Sequence, residues 1–389
     1  MSPGTRPLVR FLVHGAERSG PPIYLLRILR RWAVEDPGFD REVLLARPGE
    51  LEEAFRAVGP TRTLRLDRRS PERLVERGLS AAGGSSLADR SLSSAIRWRG
   101  GRSRPDVTVV NGATAATARM LEALAPTGPV LLIAHELGTG WFHNIDDAAR
   151  SLLRSRTRSV LAVSRLVEAF LQKHVDFPPS AITVVPPPTY GVGPRTTAAV
   201  TSSRRFRVGG AGVTDWRKAP ELWLRVAAEV TASRPDLDVG WHWYGGDAPS
   251  DRAFWPLRHE VEHLGLGDRV EFHGEVGELL PHLSGLDLFV STAREDAYPL
   301  VCAEAASAGV PIVSFDDTGA AELTQDGICG AAVPYTGTGA MAAEVVALLD
   351  DEERRRRLGD AGRRFAETTL DVAVVAPQVA AWIQRSIGS

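Results

Sequence analysis

At 389 residues the chain is long enough for two domains of roughly 100 to 200 residues each. With 43% hydrophobic and 24% charged residues it is neither a disordered chain nor a fibrous repeat. A formal net charge of −2 excludes the overall basic field that draws nucleic acid, and no run reaches the roughly 18 consecutive apolar residues that would cross a bilayer.

The two cysteines, Cys302 and Cys329, are too few for a disulfide framework or a zinc site of their own. That fits a reducing compartment, and an N-terminal stretch without a long apolar core predicts a cytoplasmic protein. Basic residues outnumber acidic ones over residues 1–189 and the reverse holds beyond them. A basic first half suits an anionic acceptor or a membrane surface, and solvated faces alone also produce such an imbalance; peripheral membrane contact is not indicated. Only two basic residues, Lys173 and Lys218, are lysine rather than arginine.

In chain order, LVRFLVH (8–14), REVLLA (41–46), DVTVVN (106–111), PVLLIAH (129–135), SVLAVS (159–164) and ITVVP (182–186) read as strands. Helix-period segments lie between several of them, among them Ile23 to Trp32 and Ala115 to Ala125. Residues 79–105, rich in Gly, Ser and Arg, read as a surface loop or a loosely held helix, and 190–205 as a linker. The alternation restarts with FRVGGAGV (206–213), DVGWHWYGG (238–246), RVEFHG (269–274), LDLFVS (286–291), VPIVSF (310–315) and AAVP (331–334). Strands alternating with helices predict two doubly wound parallel sheets, over 1–189 and 206–369, with ligand expected at the carboxyl ends of the strands. The tail, 370–389, carries a helical apolar pattern.

The stretch REDAYPLVCAEAASAGVPIVSF (294–315) runs from a loop into a helix beginning near Pro299, stops at Gly309 and re-enters a strand. The first amides of such a helix, at Leu300 and Val301, lack intrahelical partners and with the helix dipole suit a phosphate or another anion. Glu304 shares their face by helical spacing, and the alanines beside it permit close approach. A carboxylate there can accept from two adjacent hydroxyls, as on a ribose; equally, Glu304 is a solvated helix residue and Asp296 a capping one.

This string resembles the E-x7-E motif of glycosyltransferase family 4, retaining transferases of the GT-B fold, with Asp296 where glutamate is usual. The resemblance implies an α/β GT-B fold: an N-terminal acceptor-binding domain, a C-terminal nucleotide-sugar domain and a final helix crossing back to the first. It implies a glycosyltransferase moving a sugar from a UDP- or GDP-linked donor to a hydroxyl acceptor of a natural product or glycan. No cofactor or metal is implied beyond the nucleotide-sugar co-substrate. GAGVTDWRKAPELWLRVA (210–227) is similar to the turn that holds the donor diphosphate, implying Lys218 and Arg217 as clamps; the family's arginine more often falls where Val213 stands.

RVEFHGEV (269–276) resembles the segment against the base, implying Phe272, His273 and Gly274; Phe272 would be core in any fold. Tyr298, Pro299, Leu300 and Val301 are implied donor-binding residues, as is Gly319 in SFDDTGAAEL, where Asp316 and Asp317 read as loop chemistry. HGAERSGPP (14–22) is similar to the family's N-terminal loop, implying Gly15 and Gly20 on the donor and Arg18 and Ser19 on the acceptor side. His135, at a strand end, stands where the family commonly has a histidine near the transferred sugar, with Glu136 beside it.

Other chemistries fit less well. GGAGVTDW has Asp215 in place of the third glycine of a dinucleotide fingerprint, and Asp236-Leu237-Asp238 opens a strand rather than ending one. A nucleophile elbow for a serine hydrolase is absent from the sequence. A GT-B nucleotide-sugar epimerase or hydrolase, and a sugar-nucleotide-binding protein without catalysis, remain as alternatives.

Overall fold

The computed structural model describes residues 6–66, 85–101, 103–190, 206–324 and 327–387, without the side chains of 85–91. The predicted linker from 191 to 205 and residues 79–84 of the predicted loop lie outside the described residues. The chain divides into two compact units, Met1–Pro188 with Val372–Ser389, and Thr189–Asp371.

The first unit is a seven-stranded parallel sheet: β1 Leu8–Val13, β2 Asp40–Leu45, β3 Thr61–Thr63, β4 Val107–Asn111, β5 Val130–Ala134, β6 Thr157–Ala162 and β7 Ile182–Val184. Their spatial order is β3-β2-β1-β4-β5-β6-β7. Every residue of β4 and β5 is buried, as strands covered by helices on both faces must be, which is why they read as unbroken apolar runs. The strand order reverses between β1 and β4, so their carboxyl ends open a crevice. The helix Val372–Gln384 closes this unit: Trp32 Nε1 donates to Ala376 O (3.3 Å), Trp382 Nε1 to Ser159 Oγ (2.9 Å) and Gln384 Nε2 to Pro37 O (2.7 Å).

The second unit repeats the plan with six parallel strands: β8 Phe206–Ala211, β9 Val239–Tyr244, β10 Val270–Phe272, β11 Leu288–Ser291, β12 Ile312–Phe315 and β13 Gly330–Val333. The order β10-β9-β8-β11-β12-β13 places its reversal between β8 and β11. One face of β9 builds an aromatic core, with Trp241 and Trp243 edge-on to Trp223 at ring separations of 5.3 and 5.5 Å.

One element differs from the sequence reading. β3 was not among the predicted strands: it is three residues at the sheet edge, Thr-Arg-Thr, too short and polar to show an apolar period. Ser85–Gly100, within the stretch read as a surface loop or a loosely held helix, is a 16-residue helix, as the second of those readings has it.

Candidate functional site

In the second unit, the loops after β8 and β11 meet at the crevice. Gly212 has φ +147°, and a side chain there would lie 2.8 Å from Lys218 Cγ; its absence lets the lysine stem cross the turn. The loops are tied by Arg294 N to Arg217 O (2.7 Å) and Thr292 Oγ1 to Ala219 O (3.0 Å). Arg294 Nη1 also reaches Trp216 O (3.0 Å) and Glu221 Oε1 (2.6 Å). This lattice delivers Lys218 Nζ to Asp296 Oδ2 as an ion pair, the two side chains 17% and 11% exposed. Arg217 stands at the rim, 3.7 Å from Asp215, whose other oxygen caps the Lys218 amide at 3.0 Å.

The helix Leu300–Ala308 follows at once. Pro299 is its N-cap, one position earlier than the first-turn place expected, and no side chain caps the amides behind it; Gly309 ends it at φ +75°. Cys302, Ala303 and Ala305 to Ala308 are buried, so the helix is enclosed almost all round. Leu300, Val301 and Glu304 are half-buried, and they form one stripe. That stripe combines the first two amides of the helix with one carboxylate.

Gly319 lies in the loop after β12. Its amide donates to Asp296 O (2.8 Å), and a side chain there would run into the Ala297–Tyr298 backbone, with Tyr298 N at 2.8 Å. The glycine thus serves the approach of two loops that fix Asp296. Tyr298 is buried and its phenol is pushed well up by burial, so it stays protonated. Burial likewise lifts the Cys302 thiol to about 12.

Phe272 turns toward the aromatic core, 4.8 Å from Phe254 and 6.3 Å from Trp223, which leaves its backbone for any ligand contact. His273 stacks on Tyr244 at 4.5 Å and lies 3.2 Å from His242 Nδ1. His242, His273 and Glu271 have the spacing of a metal-binding group, their ligand atoms within 4.8 Å of one another. Ligation through His242 Nδ1 would strand its Nε2 proton, which is buried without a partner among the described residues, so the donor set fits a metal poorly. Burial takes the His242 imidazole down to about 4. Asp236, from the D-x-D string, is held by Arg234 Nε and Nη2, both at 2.8 Å, before β9 begins.

In the first unit, three neighbouring strands end in polar side chains: β1 runs into His14, β4 ends at Asn111 and β5 runs into His135 and Glu136. His135 Nε2 contacts Asn111 Oδ1 (2.9 Å), and burial, then the charge of His14, takes its imidazole down to about 3. Glu136 accepts from the amides of Ala113 (2.9 Å) and His135 (3.1 Å), while burial raises its carboxyl. His14 Nε2 meets Glu17 Oε1 at 3.1 Å, and Arg47 Nη2 meets the same oxygen at 2.7 Å.

Gly15 is buried and crowded by the Glu17 carboxylate, whereas Gly20, opening the helix Gly20–Trp32, has open space beside it. Arg18 is exposed; Ser19 is the N-cap but its hydroxyl makes no capping bond. His14 and Asn111 were missed by the sequence reading, although each carries the strand-end position that singled out His135.

The structure resembles solved structures along nearly its whole length. Sucrose-phosphate synthase of Thermosynechococcus elongatus matches with a TM-score of 0.76 at 17% identity over 98% of this chain and 99% of that one. HepE of Anabaena, solved in complex with UDP, matches with a TM-score of 0.73 at 17% identity over 97% and 99%. The fold is GT-B. In sequence, residues 205–351 match the family model described as glycosyl transferases group 1. The alpha-D-kanosaminyltransferase of Streptomyces kanamyceticus is 30% identical over 177 residues, covering 44% of this chain and 43% of the relative. A D-inositol 3-phosphate glycosyltransferase of Arthrobacter is 27% identical over 225 residues, 57% of this chain and 52% of that one. The match thus spans about half the length of these relatives. Among the described residues no helix is long and apolar enough to cross a membrane.

Proposed function

We propose that the protein is a retaining glycosyltransferase that moves a sugar from a UDP- or GDP-linked donor to a hydroxyl of a natural product or glycan, in the cytoplasm. The second unit holds the donor and the first the acceptor. The observation that carries this reading is the half-open stripe of Leu300, Val301 and Glu304 on an otherwise enclosed helix, with Lys218 paired to Asp296 in the loop before it. Two unpaired amides at a helix start and an ammonium group match a diphosphate, and a carboxylate one turn on matches a ribose diol. The match of residues 205–351 to glycosyl transferases group 1, and the UDP carried by HepE, support the same class.

In this reading the bond from the sugar C1 to the phosphate oxygen breaks as the acceptor oxygen bonds C1 on the same face. The acceptor proton passes to the departing phosphate. Negative charge therefore grows on the diphosphate, where Lys218, Arg217 and the amides of Leu300 and Val301 stabilise it; fixed donors of this kind act without reorganisation. Asp296, held by Lys218, orients sugar hydroxyls, and Glu304 binds the ribose.

Incubation with labelled UDP-, GDP-, ADP- and dTDP-sugars tests the class. Release that depends on an added acceptor is the expected outcome. Acceptor-independent release would mark a hydrolase or epimerase, and binding alone a protein without catalysis. A thermal-shift screen of the same donors selects the base, since a ligand at a hundred times its Kd adds about 2.7 kcal/mol of stability.

A further inference from the structure

We propose that Arg294 is a positioning residue: by bridging the chain on both sides of Lys218, it holds that lysine at the carboxyl edge of the second sheet, in place for a diphosphate. The diphosphate comes from the transferase reading, on which this rests; the grip on Lys218 stands on the geometry alone.

The turn that carries Lys218 is not held by its own backbone preference. Ala219, fully buried, has φ +50° and ψ +55°, the left-handed region that residues with a side chain rarely adopt. Such a conformation persists where the surroundings over-determine it. From within the turn, Asp215 supplies two ties, its Oδ1 accepting from Lys218 N (3.0 Å) and its backbone carbonyl from Ala219 N (2.9 Å). Further ties come from residues 292–294, just after β11. Thr292 Oγ1 lies 3.0 Å from Ala219 O and 3.4 Å from Lys218 O, and Arg294 N donates to Arg217 O at 2.7 Å.

The Arg294 side chain closes the set. Its Nη1 carries two protons, and it meets two acceptors, Trp216 O at 3.0 Å and Glu221 Oε1 at 2.6 Å. Trp216 precedes Lys218 by two residues, and Glu221 follows it by three, in the first turn of the helix Pro220–Ser233. One nitrogen therefore joins the chain before the lysine to the chain after it. The Trp216 indole lies over the guanidinium, 5.6 Å from its carbon, and the Arg294 side chain is only 18% exposed. Asp296, two residues beyond Arg294, receives the other end of the lysine, at Nζ. A single short segment thus fixes both the root and the tip of Lys218, and Arg294 acts through the lysine.

Lysine is the handle for the test, because the chain has only Lys173 and Lys218. Protein grown on lysine labelled with 13C at Cε gives two signals, assigned with Lys173→Arg. Lys173, exposed on the helix Arg165–His174, is the internal reference. In the ligand-free protein Arg294→Gln should move the Lys218 signal toward that of Lys173 and leave Lys173 in place. Glu221→Gln, which keeps the shape and removes only the charge, should move it the same way by less; this variant carries the test if Arg294→Gln fails to fold. Arg207→Gln removes another arginine tie of this unit, Nη1 to Gly285 O at 2.8 Å, and should leave the Lys218 signal alone. By calorimetry, the advantage of UDP over uridine in Kd should fall about tenfold in Arg294→Gln, the worth of one charge-assisted contact to phosphate. A Lys218 signal unmoved by Arg294→Gln and Glu221→Gln, or moved as far by Arg207→Gln, overturns the proposal. A wild-type protein with no advantage for UDP, whose Lys218 signal still answers to Arg294→Gln, would sink the transferase reading of this site alone. A wild-type preference for UDP that Arg294→Gln leaves intact would sink this proposal alone.

Discussion

The two units share a strand order and differ in what they place at the point where it reverses. In the first, the ends of β1, β4 and β5 carry His14, Asn111 and His135, with His14 against Glu17 and His135 against Asn111. In the second, the loops after β8 and β11 carry Lys218 and Asp296 as a half-enclosed charge pair, beside the open amides of Leu300 and Val301. One topology thus presents neutral and polar side chains at the edge of one unit and a charge pair beside a helix start in the other. The fold supplies the crevice, and the residues at the strand ends supply its chemistry.

Lys218→Ala breaks the contrast most severely. It removes the cation and leaves the buried Asp296 carboxylate without its partner, and transfer should fall on the order of 10²-fold or more in kcat. Steady-state rates with the preferred donor check this; a near-normal rate would remove Lys218 from the diphosphate. Gly319→Ala attacks the same loop through sterics, since the added methyl meets the Ala297–Tyr298 backbone. It should cost about 1 to 3 kcal/mol of stability, read by urea unfolding, as overpacking usually does.

Glu304→Gln sharpens the comparison instead of breaking it. It keeps the shape of the stripe and removes the charge, and should raise KM for the nucleotide sugar about tenfold, or 1.4 kcal/mol, with the fold intact by circular dichroism. Unchanged kinetics would remove the ribose assignment. Acid should weaken both units together. His135 at about 3 and His242 at about 4 lie below their ordinary value of 6.5, so the unfolded chain takes up protons first as pH falls. Stability is therefore whole above pH 6.5 and declines below it, by on the order of 1 kcal/mol for each histidine at pH 5.5. Unfolding midpoints at pH 7.5 and 5.5 measure the loss, and His135→Asn and His242→Asn should each flatten it.

The strands of both sheets were legible in the sequence because parallel strands buried on both faces leave long apolar runs, as in VTVVN and VLLIA. β3 was not, because an edge strand of Thr-Arg-Thr has nothing to bury. The stripe of the second unit was legible as spacing, since Leu300, Val301 and Glu304 are fixed relative to one another by the helix. Its half-open setting was not, because that depends on what encloses the rest of the helix. The pairing of Lys218 with Asp296 joins residues 78 apart in the chain, and no local period encodes it. Asn111 went unread for the same reason: an asparagine closing an apolar strand looks like a turn residue until the Pro21 carbonyl and the His135 ring are seen on either side of it.

The central claim is that a diphosphate sits on the start of the helix Leu300–Ala308, and a crystal grown with UDP or GDP tests it most directly. The account predicts phosphate oxygens within about 2.7 to 3.2 Å of the Leu300 and Val301 amides and of Lys218 Nζ, with Glu304 on the ribose. An ordered nucleotide bound elsewhere, with water on those amides and Lys218 still turned to Asp296 alone, would contradict it.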